Sequence, residues 1–256
     1  MYKPLPVPAH ALDRRSRWVA PHDHRRCPAT PFASHEANAT GTLRVLEAAR
    51  AGGVGHVIVA SSSSVYGANP RLPKQEVMKP SPVSPYAASK LAAESYALAW
   101  QHSFGLSTLA FRFFNVFGPL QPAGHAYAAV VPAFVAAALA GRPLPVHGDG
   151  EQTRDFTYVG SVVAVLTDAV DRRVSHPEPV NLAFGTRTSL LDLIARLEAI
   201  LGRTLERDHE PPRAGDVRDS QADNAVLRSL FSDVAAVPLD DGLRSTVDWF
   251  LSVAGN

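Results

Sequence analysis

The chain has 256 residues, 46% of them hydrophobic, with a formal net charge of +1 and a single cysteine. That apolar content suffices for a substantial core, a charge so near zero leaves no footprint for nucleic acid, and one cysteine excludes an intramolecular disulfide framework. The longest apolar stretch, Ala126 to Ala140, is too short for a membrane span and contains Pro132, so a soluble, cytoplasmic protein is expected.

In chain order, residues 1–35 read as a lead without regular structure. Met1 to Ser34 hold Pro4, Pro6, Pro8, Pro21, Pro28 and Pro31 among arginines and histidines, with no sustained period of 2 or 3.6. The segment has no signal-peptide core and is too proline-broken for a presequence helix. His22 and His24 near Cys27 have no second ligand pair at zinc-site spacing, so no metal site is expected.

The next elements are sharper. His56 to Ala60 is a short β-branched run of the kind that forms a buried parallel strand, and it leads directly into Ser61-Ser62-Ser63-Ser64-Val65-Tyr66-Gly67. Ser84 is a natural N-cap and Pro85 suits a first turn. Leu91, Ala92, Tyr96, Ala97 and Trp100 continue an apolar stripe, which predicts a helix carrying Tyr86 and Lys90. Ser107 to Phe111 reads as a second strand, ending in Arg112-Phe113-Phe114-Asn115-Val116-Phe117-Gly118-Pro119. Further helices are expected around Pro132 to Ala140, Val162 to Val170, Leu190 to Leu201 and Leu239 to Leu251, with a nominal domain boundary near Gly118.

Chemistry concentrates at Tyr86 and Lys90. Four residues apart on a helix, they share a face, and an ammonium beside a phenol favours the phenolate and makes it a usable base. The spacing alone is common and also fits an exposed helix face. The serine run adds hydroxyls at the carboxyl end of a strand, where open α/β sheets place ligands.

Together, the strand with its Ser-rich turn, Val65-Tyr66-Gly67, Ser84-Pro85-Tyr86 with Lys90, and Arg112 to Pro119 resemble the extended short-chain dehydrogenase/reductases, within them the NAD-dependent nucleotide-sugar epimerases and dehydratases. The resemblance implies an α/β fold: a doubly wound Rossmann sheet, here incomplete, with a smaller C-terminal substrate lobe. It implies that Ser62 is the catalytic hydroxyl, Tyr86 the acid/base and Lys90 its electrostatic partner. It also implies NAD as cofactor, contacted by Asn38, Ser62, Tyr86, Lys90 and Phe114. The family's 4,6-dehydratases carry Asp-Glu directly after the catalytic hydroxyl residue. Here those positions are Ser63 and Ser64, which cannot exchange the protons of an elimination near neutral pH, so epimerisation through a 4-keto sugar is the better fit.

The second half resembles the family's nucleotide-diphosphate clamp. Gly148 to Val159 carries Arg154 as a phosphate fork, and Pro212-Arg213-Ala214-Gly215-Asp216 carries Arg213 with Asp216. Asn115 is expected at the substrate. Ser220, four residues after Asp216, stands where a bulky tyrosine would restrict the family's site to plain hexoses. Tyr127 to Pro132, Asn181 to Ala183 and Arg187 to Leu190 also resemble the branch that interconverts UDP-N-acetylglucosamine and UDP-N-acetylgalactosamine. A UDP-sugar substrate and a homodimer follow by resemblance, and Ser220 equally suits a loop without a substrate role. One departure is Gly160, where the family has an acid that would cap the following helix.

The family's Gly-x-x-Gly-x-x-Gly turn, which lets backbone amides approach the pyrophosphate, does not occur before Tyr86. The similarity is recognisable only from Glu36-Ala37-Asn38 onward. The organisation expected is therefore a non-homologous lead at 1–35, a Rossmann remnant at 36–118 and a nucleotide-sugar lobe at 119–256, as a truncation, a frameshift or an internal start would produce. Without the first-half strands, Val57-Ile58-Val59 would form an exposed sheet edge. Two readings stay open: an NAD-dependent nucleotide-sugar 4-epimerase of UDP-glucose or UDP-N-acetylglucosamine type, or a remnant that keeps the catalytic residues but cannot hold NAD. Another reaction of the same family is the further alternative.

Overall fold

The computed structural model describes residues 17–19, 31–123, 129–211 and 217–254. In chain order the elements begin with β1 (Arg17–Val19), α1 (Pro31–His35), a π-helical turn (Glu36–Thr40), α2 (Gly41–Ala51), β2 (His56–Ser62), α3 (Pro85–Phe104) and β3 (Ser107–Phe113). Next come β4 (Val116–Phe117), α4 (Val130–Leu139), β5 (Leu144–His147), β6 (Thr153–Arg154), β7 (Thr157–Tyr158), α5 (Val159–Asp171) and β8 (Val180–Leu182). The chain closes with β9 (Thr188–Ser189), α6 (Leu190–Leu201), β10 (Arg207–Glu210), α7 (Ala225–Leu230) and α8 (Leu239–Ala254). They divide between two compact units. The first comprises residues 1–65, 82–112 and 169–180, the second 66–81, 113–168 and 181–256.

In the first unit, β2 lies inside a sheet of order β1-β2-β3-β8. Its Val57, Ile58 and Val59 pair in parallel register with Arg17, Trp18 and Val19. This corrects two expectations. Residues 1–35 are not irregular throughout, because Arg17–Val19 is a strand and Pro31–His35 a helix. Nor is β2 an edge. The physical reason is local: the lead's prolines flank 17–19 without entering it, so all three amides there remain available for pairing. The core of this unit is a small-residue cluster of Leu46, Ala49, Val54, Val57, Val59, Ala93, Ala97 and Leu106.

Helix α3 forms as its termini dictate. Ser84 Oγ accepts the Ala87 amide at 3.1 Å, Pro85 occupies the first turn, and Gly105 closes the helix in the left-handed region at φ 68°. Its twenty residues bury Tyr86, Ala87, Ser89, Lys90, Ala93, Glu94 and Ala97. Polar side chains on a buried helix face are costly unless each has a partner, so their survival points to use.

The second unit has the heavier core. Phe117, Phe134, Val135, Leu144, Val146, Leu193, Ile194 and Leu197 are all buried, each worth about 1.5–3 kcal/mol relative to exposure. Helix α6 occupies the predicted span, Leu190 to Leu201. It begins with a reciprocal capping box, in which Ser189 Oγ accepts the Asp192 amide at 3.0 Å and Asp192 accepts the Ser189 amide at 3.3 Å. Pro132 falls in the first turn of α4, where its missing N–H costs nothing. The antiparallel pair β6–β9 sets Thr153 opposite Ser189 and Arg154 opposite Thr188, which fixes the arginine expected to meet phosphate.

Candidate active site

In the first unit, two successive residues near the end of β2, Ala60 and Ser61, are held from α3. Lys90 Nζ donates to the Ala60 carbonyl at 2.8 Å, and Ser61 Oγ donates to Glu94 Oε2 at 2.6 Å. Ser62 follows, its Oγ accepting from the Ser64 amide at 3.2 Å and from the Ser64 hydroxyl at 2.9 Å. Those two bonds fill the acceptor side of the Ser62 oxygen and leave its proton as the group available to donate. Ser64 thus has a definite task at a position where a dehydratase would carry an acid.

Tyr86 and Lys90 share the face of α3 that meets β2, and both are buried, at 8% and 3% exposure. The ammonium lies 6.0 Å from the centre of the phenol ring. Burial pushes the Lys90 pKa down from 10.5 to about 8, since the charged form loses its hydration. Cation and phenol are neighbours one turn apart, with the ammonium anchored to the strand that ends in Ser62.

Asn38 sits in the π-helical turn, a local widening often found at functional positions. It is buried, and its Nδ2 donates to Ser89 Oγ at 3.0 Å, while Ser89 Oγ donates to the Tyr86 carbonyl at 2.8 Å. Asn38 therefore braces the first turn of α3 through a serine. Behind these residues lies a pair the motif reading did not single out. Arg112 binds Glu94 through both edges, Nε to Oε2 at 2.9 Å and Nη2 to Oε1 at 2.6 Å, with each side chain 3% exposed. The sequence held one signal for it: Tyr86, Lys90 and Glu94 recur every four residues on a stripe otherwise made of Ala93 and Ala97.

In the second unit, Phe114 is fully buried, its ring 6.2 Å from that of Tyr66, which is a packing role. Asn115 adopts the left-handed region at φ 35°, tolerated by Asn better than by most side chains. Its Nδ2 donates to the Asp155 carbonyl at 3.2 Å. Arg154 is half-buried, with Nη1 donating to the carbonyls of Thr153 and Arg218, each at 2.9 Å. Ser220 is fastened to the same segment, its amide donating to the Thr153 carbonyl at 3.1 Å. Asn181 is buried and accepts the Tyr66 hydroxyl at 2.6 Å, a structural role. Arg213 and Asp216 lie outside the described residues, as do His22, His24 and Cys27.

Asp155 is the residue of this unit that sequence reasoning passed over. Fully buried, it accepts the Thr186 amide at 3.2 Å, the Thr186 hydroxyl at 2.9 Å and the Ala222 amide at 3.0 Å. Burial raises its pKa from 3.8 to about 6 against those hydrogen bonds, which pull the other way. Its position beside Arg154 makes it the knot joining three loops to β6. A Cβ at Gly160, where the family has its capping acid, would come within 2.7 Å of the Tyr158 ring.

The profile of the NAD dependent epimerase/dehydratase family matches residues 19–183. The chain belongs to that family. The match begins at Val19, so residues 19–35 are family sequence, which corrects the expectation of a non-homologous lead as far as residue 35. A UDP-glucose 4-epimerase of Mycolicibacterium smegmatis is 37% identical over 214 residues, spanning 83% of this chain and 68% of the relative. The structure of a UDP-N-acetylglucosamine 4-epimerase from Methanobrevibacter ruminantium, in complex with UDP-N-acetylmuramic acid, superposes with a TM-score of 0.88 at 32% identity, covering 93% of this chain and 77% of that one. A Thermus thermophilus UDP-glucose 4-epimerase in complex with NAD gives a TM-score of 0.83 at 30% identity, covering 93% and 78%.

The residues assigned to NAD can be compared with what NAD needs. At the nicotinamide end the chain supplies Tyr86 and Lys90, whose ammonium has three donors and gives one to Ala60. For the pyrophosphate end, the residues before Tyr86 hold no Gly-x-x-Gly-x-x-Gly turn. The glycines before Tyr86 are Gly41, Gly52, Gly53, Gly55 and Gly67, and the cluster at 52–55 follows helix α2 and precedes a strand, the reverse of a strand-to-helix phosphate turn. Among the described residues, no helix is long and apolar enough to cross a membrane, and no group of three or more His, Cys, Asp or Glu could hold a metal ion.

Proposed function

We propose that this family member carries the proton chemistry of a UDP-sugar 4-epimerase at Tyr86 and Lys90, with NAD held weakly because only its nicotinamide end finds family-like partners. The observation that carries this reading is the Lys90 anchor to Ala60, which fixes the ammonium one helical turn from Tyr86 and beside the strand that ends in Ser62.

Tyr86 takes the proton of the sugar 4-hydroxyl and later returns one. Lys90 stabilises its phenolate, and Ser62 donates a hydrogen bond to the reacting oxygen. Arg154, with Arg213, holds the diphosphate as a charge-assisted fork. Asn115 contacts the sugar, and the small Ser220 leaves space for an N-acetyl group, so UDP-N-acetylglucosamine and UDP-glucose are both substrates. A cytoplasmic homodimer is the setting proposed by family resemblance.

The test is formation of the 4-epimer, followed by proton NMR with each UDP-sugar as NAD is raised from about ten micromolar to about ten millimolar. Turnover that saturates only toward the millimolar end is expected. A second reading, a remnant without activity, is favoured by the absent glycine turn. It predicts no epimer at any NAD concentration, with UDP-sugar binding retained in calorimetry. Micromolar NAD affinity would contradict both.

A further inference from the structure

The Glu94–Arg112 pair has no part in the chemistry just described, yet it is buried in the first unit. A bidentate ion pair with both side chains at 3% exposure is an expensive thing to keep, because a buried pair of this kind is often replaceable by apolar residues without loss of stability. Its location is informative. Glu94 is the next residue after Lys90 on the stripe that begins at Tyr86, and its Oε2 also accepts the hydroxyl of Ser61, the residue between the Lys90 anchor at Ala60 and the Ser62 hydroxyl. One carboxylate therefore touches the site's strand, its helix and, through Arg112, the neighbouring strand β3.

We propose that Glu94 and Arg112 are positioning residues that seat the end of β2 against α3 and hold the charge behind Tyr86 and Lys90 at zero, so that Lys90 sets the protonation of the phenol.

The other charged and titratable groups on the elements packed against α3 stand apart from this stripe. His35 and Glu36, before and in the π turn, are exposed, and Glu47 and Arg50 on α2 pair with each other at the surface. Along β2, His56 lies at the opposite end, its Nε2 against the Val174 carbonyl at 2.8 Å. On α3 itself His102 is four turns beyond Tyr86 and exposed. Against that background, an unbalanced charge at position 94 or 112 would act on the phenol through protein. Eight residues along a helix is about 12 Å, where a unit charge at an effective dielectric near 20 moves a pKa by about one unit.

The proposal rests on Tyr86 being the acid/base, but its test needs neither NAD nor substrate. In protein labelled with 13C at tyrosine Cζ, the Tyr86 resonance is the one lost in Tyr86→Phe, and its pH titration reports the phenol directly. Glu94→Gln leaves an unpaired Arg112 and should lower the Tyr86 pKa, by about half to one unit. Arg112→Met leaves an unpaired Glu94 and should raise it by a similar amount. The double variant should return it to within about 0.3 units of the parent. A merely structural role would not give shifts of opposite sign, so single variants that move together or not at all overturn the proposal. Where a single variant does not fold, Arg112→Lys and the double variant carry the test. Both keep the pair neutral, and a shift in either beyond about 0.5 units would overturn it. A parent Tyr86 that titrates at an ordinary phenol value would remove the base assignment first, and the proposal with it.

Discussion

The two units bury different things. In the first, Lys90, Glu94, Arg112, Asn38 and Ser89 are buried beside a modest aliphatic cluster of alanines, valines and two leucines. In the second, phenylalanines and leucines fill the core, while Arg187 and Arg218 stand 52% and 64% exposed and Arg154 is half-buried. The proposed function would account for the difference. A proton is managed by shifting a pKa, which requires removal from water. A diphosphate is managed by a full positive charge that arrives hydrated and is released again. On the proposed function, the first unit would hold the proton chemistry and the second would bind the diphosphate, although the second also buries a carboxylate, Asp155.

The comparison predicts where kcat and KM effects fall. Tyr86→Phe, assayed in a chain supplied with a strand–Gly-x-x-Gly-x-x-Gly–helix unit so that NAD is saturating, should lower kcat by about a hundred- to ten-thousandfold with KM almost unchanged. Near-normal turnover would show that another group moves the proton. In the same background, Arg154→Gln should raise KM by about ten- to a hundredfold and leave kcat within about threefold. A kcat loss instead would erase the division of labour between the units.

The stability side of the comparison is tested at Lys90. Its pKa is held below 10.5, at about 8, so the folded protein binds fewer protons than the unfolded chain between those values. The cost of burying the ammonium is complete below pH 8 and fades as the pH rises toward 10.5. The shift corresponds to about 3 kcal/mol, less about 1 kcal/mol for the Ala60 carbonyl left without its donor. Lys90→Met should therefore raise the unfolding free energy by about 2 kcal/mol near pH 7 in urea denaturation, with the gain shrinking by pH 10. A variant less stable than the parent would mean that the ammonium is not strained by burial.

The smallest effect is one of selectivity. Ser220→Tyr should lower the ratio of kcat/KM for UDP-N-acetylglucosamine over UDP-glucose by about tenfold, because a ring would occupy the volume of the acetamido group. An unchanged ratio would detach Ser220 from the sugar.

Much of this was legible from residue pattern. The β-branched run at 56–60, the Ser84-Pro85 start of α3 and the apolar period of α6 each encode their element locally, and the structure extends β2 to Ser62 and β3 to Phe113. Strand β1 was not legible, because three residues of mixed polarity have no period and pair only once β2 offers its edge. Glu94 was obscured for a related reason: a carboxylate on a helix ordinarily faces water, and only its arginine from another strand shows that this one does not. Asp155 stood in plain view within a recognised motif, but the convergence of Thr186 and Ala222 on it is a property of three loops remote in sequence.

The ring of Tyr158 also carries a message about how this chain varies. Side chains built on Gly160 or Gly242 would meet it at 2.7 and 2.8 Å, although the two positions are 82 residues apart and Gly242 lies in the first turn of a helix that alanine would suit better. Both glycines pack against that one ring. A smaller side chain at 158 would relieve Gly160, whereas Gly242 would still face Phe117 at 3.0 Å. A side chain at 160 or 242 should therefore fit only if Tyr158 shifts, and at 242 only if Phe117 shifts as well.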